Sequence, residues 1–164
     1  MTVSFNPPSQ LGGNPLNPVA IWVQNLIDSL KAAFNSITLV VASPITNSLS
    51  ADVALNNTAN YFDGPRVAQG STGTWFVSGT VTLVDAGAAN FAVKLWDGTT
   101  VIASAWNRVD AALFQCTVAL SGFITSPVGN LRISVQDQTL TTGQIKFNAS
   151  GNSKDSTITA FRIA

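Results

Sequence analysis

The chain has 164 residues and no formal net charge, with eight Lys plus Arg against eight acidic residues, all of them Asp, and with no His and no Glu. Charged residues make up 10% of it, against roughly 25% in a typical soluble domain, so uncharged Ser, Thr, Asn, Gln and Gly must cover most of its surface. These counts exclude Ser-His-Asp and Cys-His nucleophile pairs, imidazole acid or base chemistry and His-containing zinc sites. With no Lys/Arg cluster they also exclude the electrostatic footprint of a nucleic-acid or anionic-membrane binder. Single Cys116 allows no intrachain disulfide. No apolar run approaches the roughly 18 residues of a membrane span, and the opening MTVSFNPPSQ lacks the basic and apolar regions of a signal peptide. The expectation is a neutral, intracellularly made binding or structural protein that needs no cofactor, touches no nucleic acid and inserts into no membrane.

Residues 1–17 carry Pro7, Pro8, Gly12, Gly13 and Pro15 among isolated apolar residues. Proline fixes φ and removes an amide donor, and the glycine pair adds freedom, so this stretch is predicted to be an extended arm. Two readings stand for it: a free terminus, or an attachment arm that orders against a partner with Phe5, Leu11 and Leu16 as anchors.

A helix is predicted over 18–38. Asn17 suits the N-cap and Pro18 the first helical position, where a missing amide costs nothing. Val19, Val23, Leu26, Leu30, Ala33 and Ile37 then recur at alternating spacings of four and three, which is a heptad seam. Trp22, Ile27 and Phe34 widen the apolar surface beyond a two-stranded zipper. Such a helix either packs on its own domain or joins copies of the chain. At under three heptads it is marginal alone, so other contacts must hold any assembly together.

From residue 39 to 164 the period changes to two, interrupted at first by Pro44 and Ser/Asn clusters. Trp75, Val77, Val81 and Leu83 alternate with Ser78, Thr80 and Thr82, and Gly79 between them marks a bulge or a close approach. Phe91, Val93 and Leu95 alternate with Ala92, Lys94 and Trp96. Asp97-Gly98 then predicts a hairpin turn whose returning strand ends at Trp106. Phe114, Cys116, Val118 and Leu120 are predicted to point one way, and Leu131, Ile133 and Val135 to oppose Arg132 and Ser134. Ile145 and Phe147 follow. In the last strand the inward set is either Ile158 and Ala160 with Arg162, or Thr159, Phe161 and Ile163. About eight short strands at intervals near ten residues indicate an antiparallel β-sandwich or jelly roll, with the final strand paired inside a sheet.

Little in this pattern suggests chemistry. Cys116 sits in the alternation FQCTVAL with no base to activate it, and reads as a small core residue. The eight Asp are scattered without the D-x-D spacing of a calcium loop. Asp85 and Asp97 precede or enter turns, and Asp63-Gly64-Pro65 reads as another turn. Asn56-Asn57-Thr58 and Asn148-Ala149-Ser150 match the glycosylation pattern at a frequency this composition produces by chance. Trp96, opposite Val93 and Leu95, and Trp106 are the residues suited to a ligand. An exposed aromatic face can stack on the C–H patch of a pyranose, or a neighbouring subunit can cover it.

The segments YFDGPRVAQGSTGTWFVSGTVTL, KLWDGTTVIASA and LRISVQDQTLTTGQIKFNASGNSKDSTITAFRIA resemble the β-rich region of small virion proteins of tailed bacteriophages and their prophage relatives, over roughly residues 50–164. The layout of arm, short coiled coil and β-domain likewise resembles phage head fibres and decoration proteins, whose heads are often trimeric jelly rolls similar to the tumour necrosis factor fold. The resemblance implies a structural or adsorption role without catalysis. The sequence therefore leads to an expected homotrimer, with the helix seam on a threefold axis and the arm on a capsid or tail protein of the virion. The alternative is an adsorption module that recognises a host-surface glycan through Trp96 and Trp106.

Overall fold

The switch from heptad to alternating pattern marks the switch from helix to sheet. In a computed structural model, which describes residues 18–35 and 43–164, the chain divides into two units, Met1–Leu39 and Val40–Ala164. Helix α1 spans Pro18–Asn35. The predicted arm with Phe5, Leu11 and Leu16, and the last seam residue Ile37, lie outside the described residues. Along α1 the seam residues Val19, Val23, Leu26, Leu30 and Ala33 are exposed, as are Trp22 and Phe34. The polar side is held by Gln24 Nε2, which donates to Asp28 Oδ1 at 3.0 Å, and by the Asp28–Lys31 pair at 3.9 Å. Such exposed pairs contribute only about 0.3–0.5 kcal/mol each, so the apolar stripe dominates the chemistry of this helix.

The alternating segments form ten antiparallel strands in two sheets, an antiparallel β-sandwich of jelly-roll type. They are β1 Ile45–Ser48, β2 Val53–Leu55, β3 Phe62–Val67, β4 Thr74–Val84, β5 Ala89–Trp96, β6 Val101–Val109, β7 Gln115–Thr125, β8 Leu131–Asp137, β9 Gly143–Lys146 and β10 Thr157–Arg162. The six-stranded sheet is organised on β4. One edge of β4 pairs with β7 along its whole length; the other pairs with β10 from Trp75 to Thr80 and with β9 from Thr82 to Val84. Beyond these, β1 pairs with β10 and β2 with β9. The four-stranded sheet runs β3-β8-β5-β6.

The core lies between the sheets. Trp75, Val77, Val81, Leu83, Val118, Leu120, Ile145, Ile158 and Ala160 from one sheet meet Phe91, Val93, Leu95, Leu131, Ile133 and Val135 from the other, all buried. Of the two registers open for the last strand, Ile158 and Ala160 face inward. β10 lies between β1 and β4, as expected of a terminal strand paired inside a sheet, and Ile163 N still donates to Thr74 O at 2.8 Å. Gly79 proves to be a close approach: β4 pairs through it without a register shift, and a Cβ there would stand 2.5 Å from Thr157 O and 2.9 Å from Ile133 Cδ1. At the open side of the sandwich Gly122 does the same for Ile102, whose Cγ2 would lie 2.6 Å from an added Cβ. At the other side Asn47 Nδ2 donates to Arg66 O at 2.8 Å, tying β1 to β3.

Three local expectations are corrected. Phe114 lies before β7 and is 67% exposed, because Leu113 at φ 60° breaks the extended chain ahead of the alternation. Asp63-Gly64-Pro65 forms a bulge inside β3, where pairing with β8 shifts between Asp63 and Arg66. Pro65 is tolerated because β3 is an edge strand. β6 does not end at Trp106 but continues to Val109.

Gly79→Ala is expected to lower stability by about 1–3 kcal/mol through overpacking, read as a shift in the urea midpoint. An unchanged midpoint would show that the sheets separate there at little cost.

Candidate functional site

The two outer faces of the sandwich differ in chemistry. On the six-stranded sheet, register places Phe161, Phe76 and Phe123 in one row across β10, β4 and β7. Their ring centroids are 5.1 Å apart for Phe76–Phe123 and 5.3 Å for Phe76–Phe161, both tilted, and Phe123 is 64% exposed. Beside them run rows of hydroxyls: Thr46, Thr159, Ser78 and Ser121, then Ser48, Thr157 and Thr80. Hydroxyls on this face pair sideways, Thr46 with Thr159 at 3.0 Å and, in two further rows, Thr74 with Thr125 at 2.9 Å and Thr82 with Thr117 at 3.0 Å. Across β1, β10, β4 and β7 none of the outward residues of the ladders is charged. Where hydroxyls are already paired with one another, less is lost when water is removed from them.

The outer face of the four-stranded sheet is the reverse. Arg66, Arg132 and Trp96 share one row; Asp63, Ser134, Lys94 and Ser104 the next; Gln136, Ala92 and Trp106 the third; Asn90 and Arg108 the fourth. The bulge at Gly64-Pro65 is what keeps both Asp63 and Arg66 outward, since it turns two successive residues inward. Four of the eight Lys and Arg stand here.

The two candidate tryptophans both lie on this face but not together. Ala92 pairs with Trp106, and Trp96 is four residues further along β5, about 13 Å away at the strand rise. Trp96 is half-buried in a network. Its Nε1 donates to Ser134 Oγ at 2.7 Å, Ser134 Oγ donates to Asp63 Oδ1 at 2.6 Å, and Arg132 Nε stands 3.3 Å from the same oxygen. Lys94 Nζ is 3.4 Å and Arg132 Cζ 4.9 Å from its ring centroid. Trp106 is 60% exposed, and its Nε1 donates to Gln138 Oε1 at 3.2 Å.

Sequence reasoning missed a carboxyl pair. Asp85 follows β4, Asp137 ends β8, and both are buried. Each binds the amides after it: Asp85 Oδ1 accepts from Gly87 N at 3.2 Å and from Thr142 Oγ1 at 2.6 Å, and Asp137 Oδ1 from Thr139 N at 2.9 Å and Leu140 N at 3.0 Å. The two Oδ2 atoms have no donor from any other residue, and a Cβ on Gly143 would sit 2.8 Å from one and 3.1 Å from the other. Burial and the neighbouring Asp85 push the Asp137 carboxyl above the ordinary carboxylate range, the direction expected where two carboxyl groups share one buried site and a proton between them relieves their repulsion. Asp97 is the opposite case. It too is buried, but amide donors from Thr100, Val128 and Thr99 outweigh burial and hold it below the usual range. Sealed from solvent, the Asp85–Asp137 pair is a structural latch where β4, β8 and β9 meet.

A cleft of about 320 Å³ lies between the end of β6 and the start of β7, lined by Arg108, Val109, Asp110, Phe114 and Cys116. Burial raises the Cys116 thiol, which keeps it a weak nucleophile. Among the described residues there is no group of three or more potential metal-binding side chains, and no helix is long and apolar enough to cross a membrane.

No family model and no curated protein sequence matches the chain. Among solved structures it is similar to the Eiger TNF of S. frugiperda, with a TM-score of 0.50, 9% identity, and coverage of 75% of this chain and 93% of that one. This likeness shows the fold. Weaker similarities are to the C-terminal CBM6 of LamC from Zobellia galactanivorans, with a TM-score of 0.38, 12% identity and coverage of 73% and 100%, and to the PRD1 vertex protein P5, with 0.37, 16%, 75% and 96%.

Because the folded state binds the Asp137 proton more tightly than the unfolded chain, this group's stabilising contribution is full at acidic pH and is lost as pH rises through its elevated value. Asp137→Asn keeps the acceptor for Thr139 and Leu140 and offers a permanent donor to Asp85. The variant is expected to melt at or above wild type near pH 8 and to flatten the slope of Tm between about pH 5 and 8, where ordinary carboxylates have finished titrating. An equal loss of Tm at every pH would exclude a proton shared between Asp85 and Asp137.

Proposed function

We propose that this chain is a non-enzymatic structural protein of a virion, a homotrimeric head decoration protein or short fibre. Its arm, residues 1–17, attaches to a capsid or tail protein and its β-domain is displayed outward. The observation that carries this reading is the uncharged stretch of the six-stranded sheet's outer face over β1, β10, β4 and β7. A row of three phenylalanines, one of them 64% exposed, set among self-paired hydroxyls, has the composition of a surface that copies of itself cover. The apolar stripe of α1 supplies the second contact. Three helices can close Val19, Val23, Leu26, Leu30, Ala33 and Ile37 around one axis, and a closed ring buries both surfaces without leaving a sticky end. Three weak arms on one trimer then add by avidity. The alternative function, an adsorption module for host-surface glycan, is favoured by a different observation on the opposite face: the exposed indole of Trp106.

Leu26→Asp places charge in the seam and is expected to reduce the assembly mass measured by light scattering; an unchanged mass would show that α1 packs within its own subunit. Deleting residues 1–17 is expected to leave the trimer intact and abolish immunogold labelling of the phage particles that encode the protein. Particles labelled equally well by the truncated chain would exclude the arm as the anchor, and particles that never carry the full chain would exclude the virion role.

A further inference from the structure

Trp106 is placed as a platform. It lies on β6, and its indole N–H reaches Gln138, which follows β8, while β5 runs between those two strands. The side chain therefore crosses β5 diagonally, from the level of Ala92, its register partner, toward that of Asn90, which faces Gln138. Small Ala92 leaves room beside the ring, the hydrogen bond to Gln138 restrains it, and 60% of the residue stays open to solvent. A restrained, exposed indole suits the apolar face of one pyranose ring.

The next position along β5 on the same face is Lys94. Its Nζ sits 4.0 Å from the ring centroid of Tyr61 and 3.4 Å from that of Trp96. The other cations of the neighbouring rows have carboxylates: Arg132 stands 3.3 Å from Asp63, and Arg108 2.7 Å from Asp110. Lys94 makes no ion pair among the described residues, and Arg66 adds a further exposed cation two strands away. The aromatic clamp holds this ammonium group on the same outer face as Trp106, with Lys94 two residues along β5 from Ala92, the register partner of Trp106. A chain of linked pyranose rings can span the two groups.

We propose that Trp106 and Lys94 form a binding site for an acidic oligosaccharide, one containing a uronic or sialic acid, with one ring stacked on Trp106 and a carboxylate of the same glycan on Lys94. The site rests on the glycan reading above and specifies its ligand class. It is compatible with self-assembly through the opposite sheet, since the two faces do not overlap.

The test is a glycan array probed with the intact chain, carrying uronic- and sialic-acid oligosaccharides alongside their methyl esters. Acidic glycans are expected to bind and their esters to bind about tenfold more weakly, the size of one charge-assisted hydrogen bond, with binding falling as salt rises. Trp106→Ala should abolish binding. Lys94→Met preserves the packing between Tyr61 and Trp96 and should equalise acids and esters, while Lys94→Arg should retain the preference. Equal binding of acids and esters by the unmodified chain, with Lys94→Met indifferent, would overturn the acidic-ligand proposal and leave the glycan reading standing. No binding to any glycan, or binding unaffected by Trp106→Ala, would overturn both.

Discussion

The β-domain depends on one packing constraint: the inner faces of two sheets must interdigitate around β4. That strand pairs with β7 on one edge and with β10 and then β9 on the other, so a single extended segment aligns four strands against Phe91, Val93, Leu95, Ile133 and Val135 of the opposite sheet. Gly79 sets how closely the layers approach, because nothing larger fits beneath Ile133 and the Thr157 carbonyl. Once each sheet has committed one face to this core, its other face is free of any demand from folding. Those outer faces carry the chemistry that distinguishes this chain.

The scarcity of charge is unevenly distributed. Half of the Lys and Arg residues lie on the outer face of the four-stranded sheet, where Asp63, Ser134, Trp96, Lys94 and Arg132 form a connected network. The ladders of the six-stranded sheet's outer face over β1, β10, β4 and β7 carry none, and present phenylalanine instead. A chain with 10% charged residues has few charges to spread over its surface; this stretch receives none, and beside it Lys146 and Asp52 are paired with each other where β9 joins β4. In the account proposed here, the neutral side meets copies of the chain and the charged side meets solvent or a ligand.

Legibility in the sequence followed the range of the interaction. The alternation of Trp75, Val77, Val81 and Leu83, and of Phe91, Val93 and Leu95, is local, and it located the strands, their inward faces and the sandwich class. The Asp97-Gly98 turn was legible for the same reason. Where a distant partner decides, local signals failed or fell silent. Asp63-Gly64-Pro65 has the composition of a turn, but β8 draws it into a ladder as a bulge. Leu113 at positive φ ended an alternation that the letters alone carried back to Phe114. Trp96 and Trp106 look alike in sequence, both outward on paired strands; Ser134, Asp63 and Arg132 tie down the first, whereas small Ala92 and distant Gln138 leave the second open. Asp85 and Asp137 meet only because β4 and β8 end at the same corner of the sandwich, and no spacing rule links them.

The central claim is that the neutral sheet face and the helix seam are covered by identical chains. Sedimentation of the unmodified full-length protein at micromolar concentration tests it most directly. A single species of about 51 kDa is expected, three times the chain mass of 17.1 kDa. A homogeneous 17.1 kDa species would contradict it.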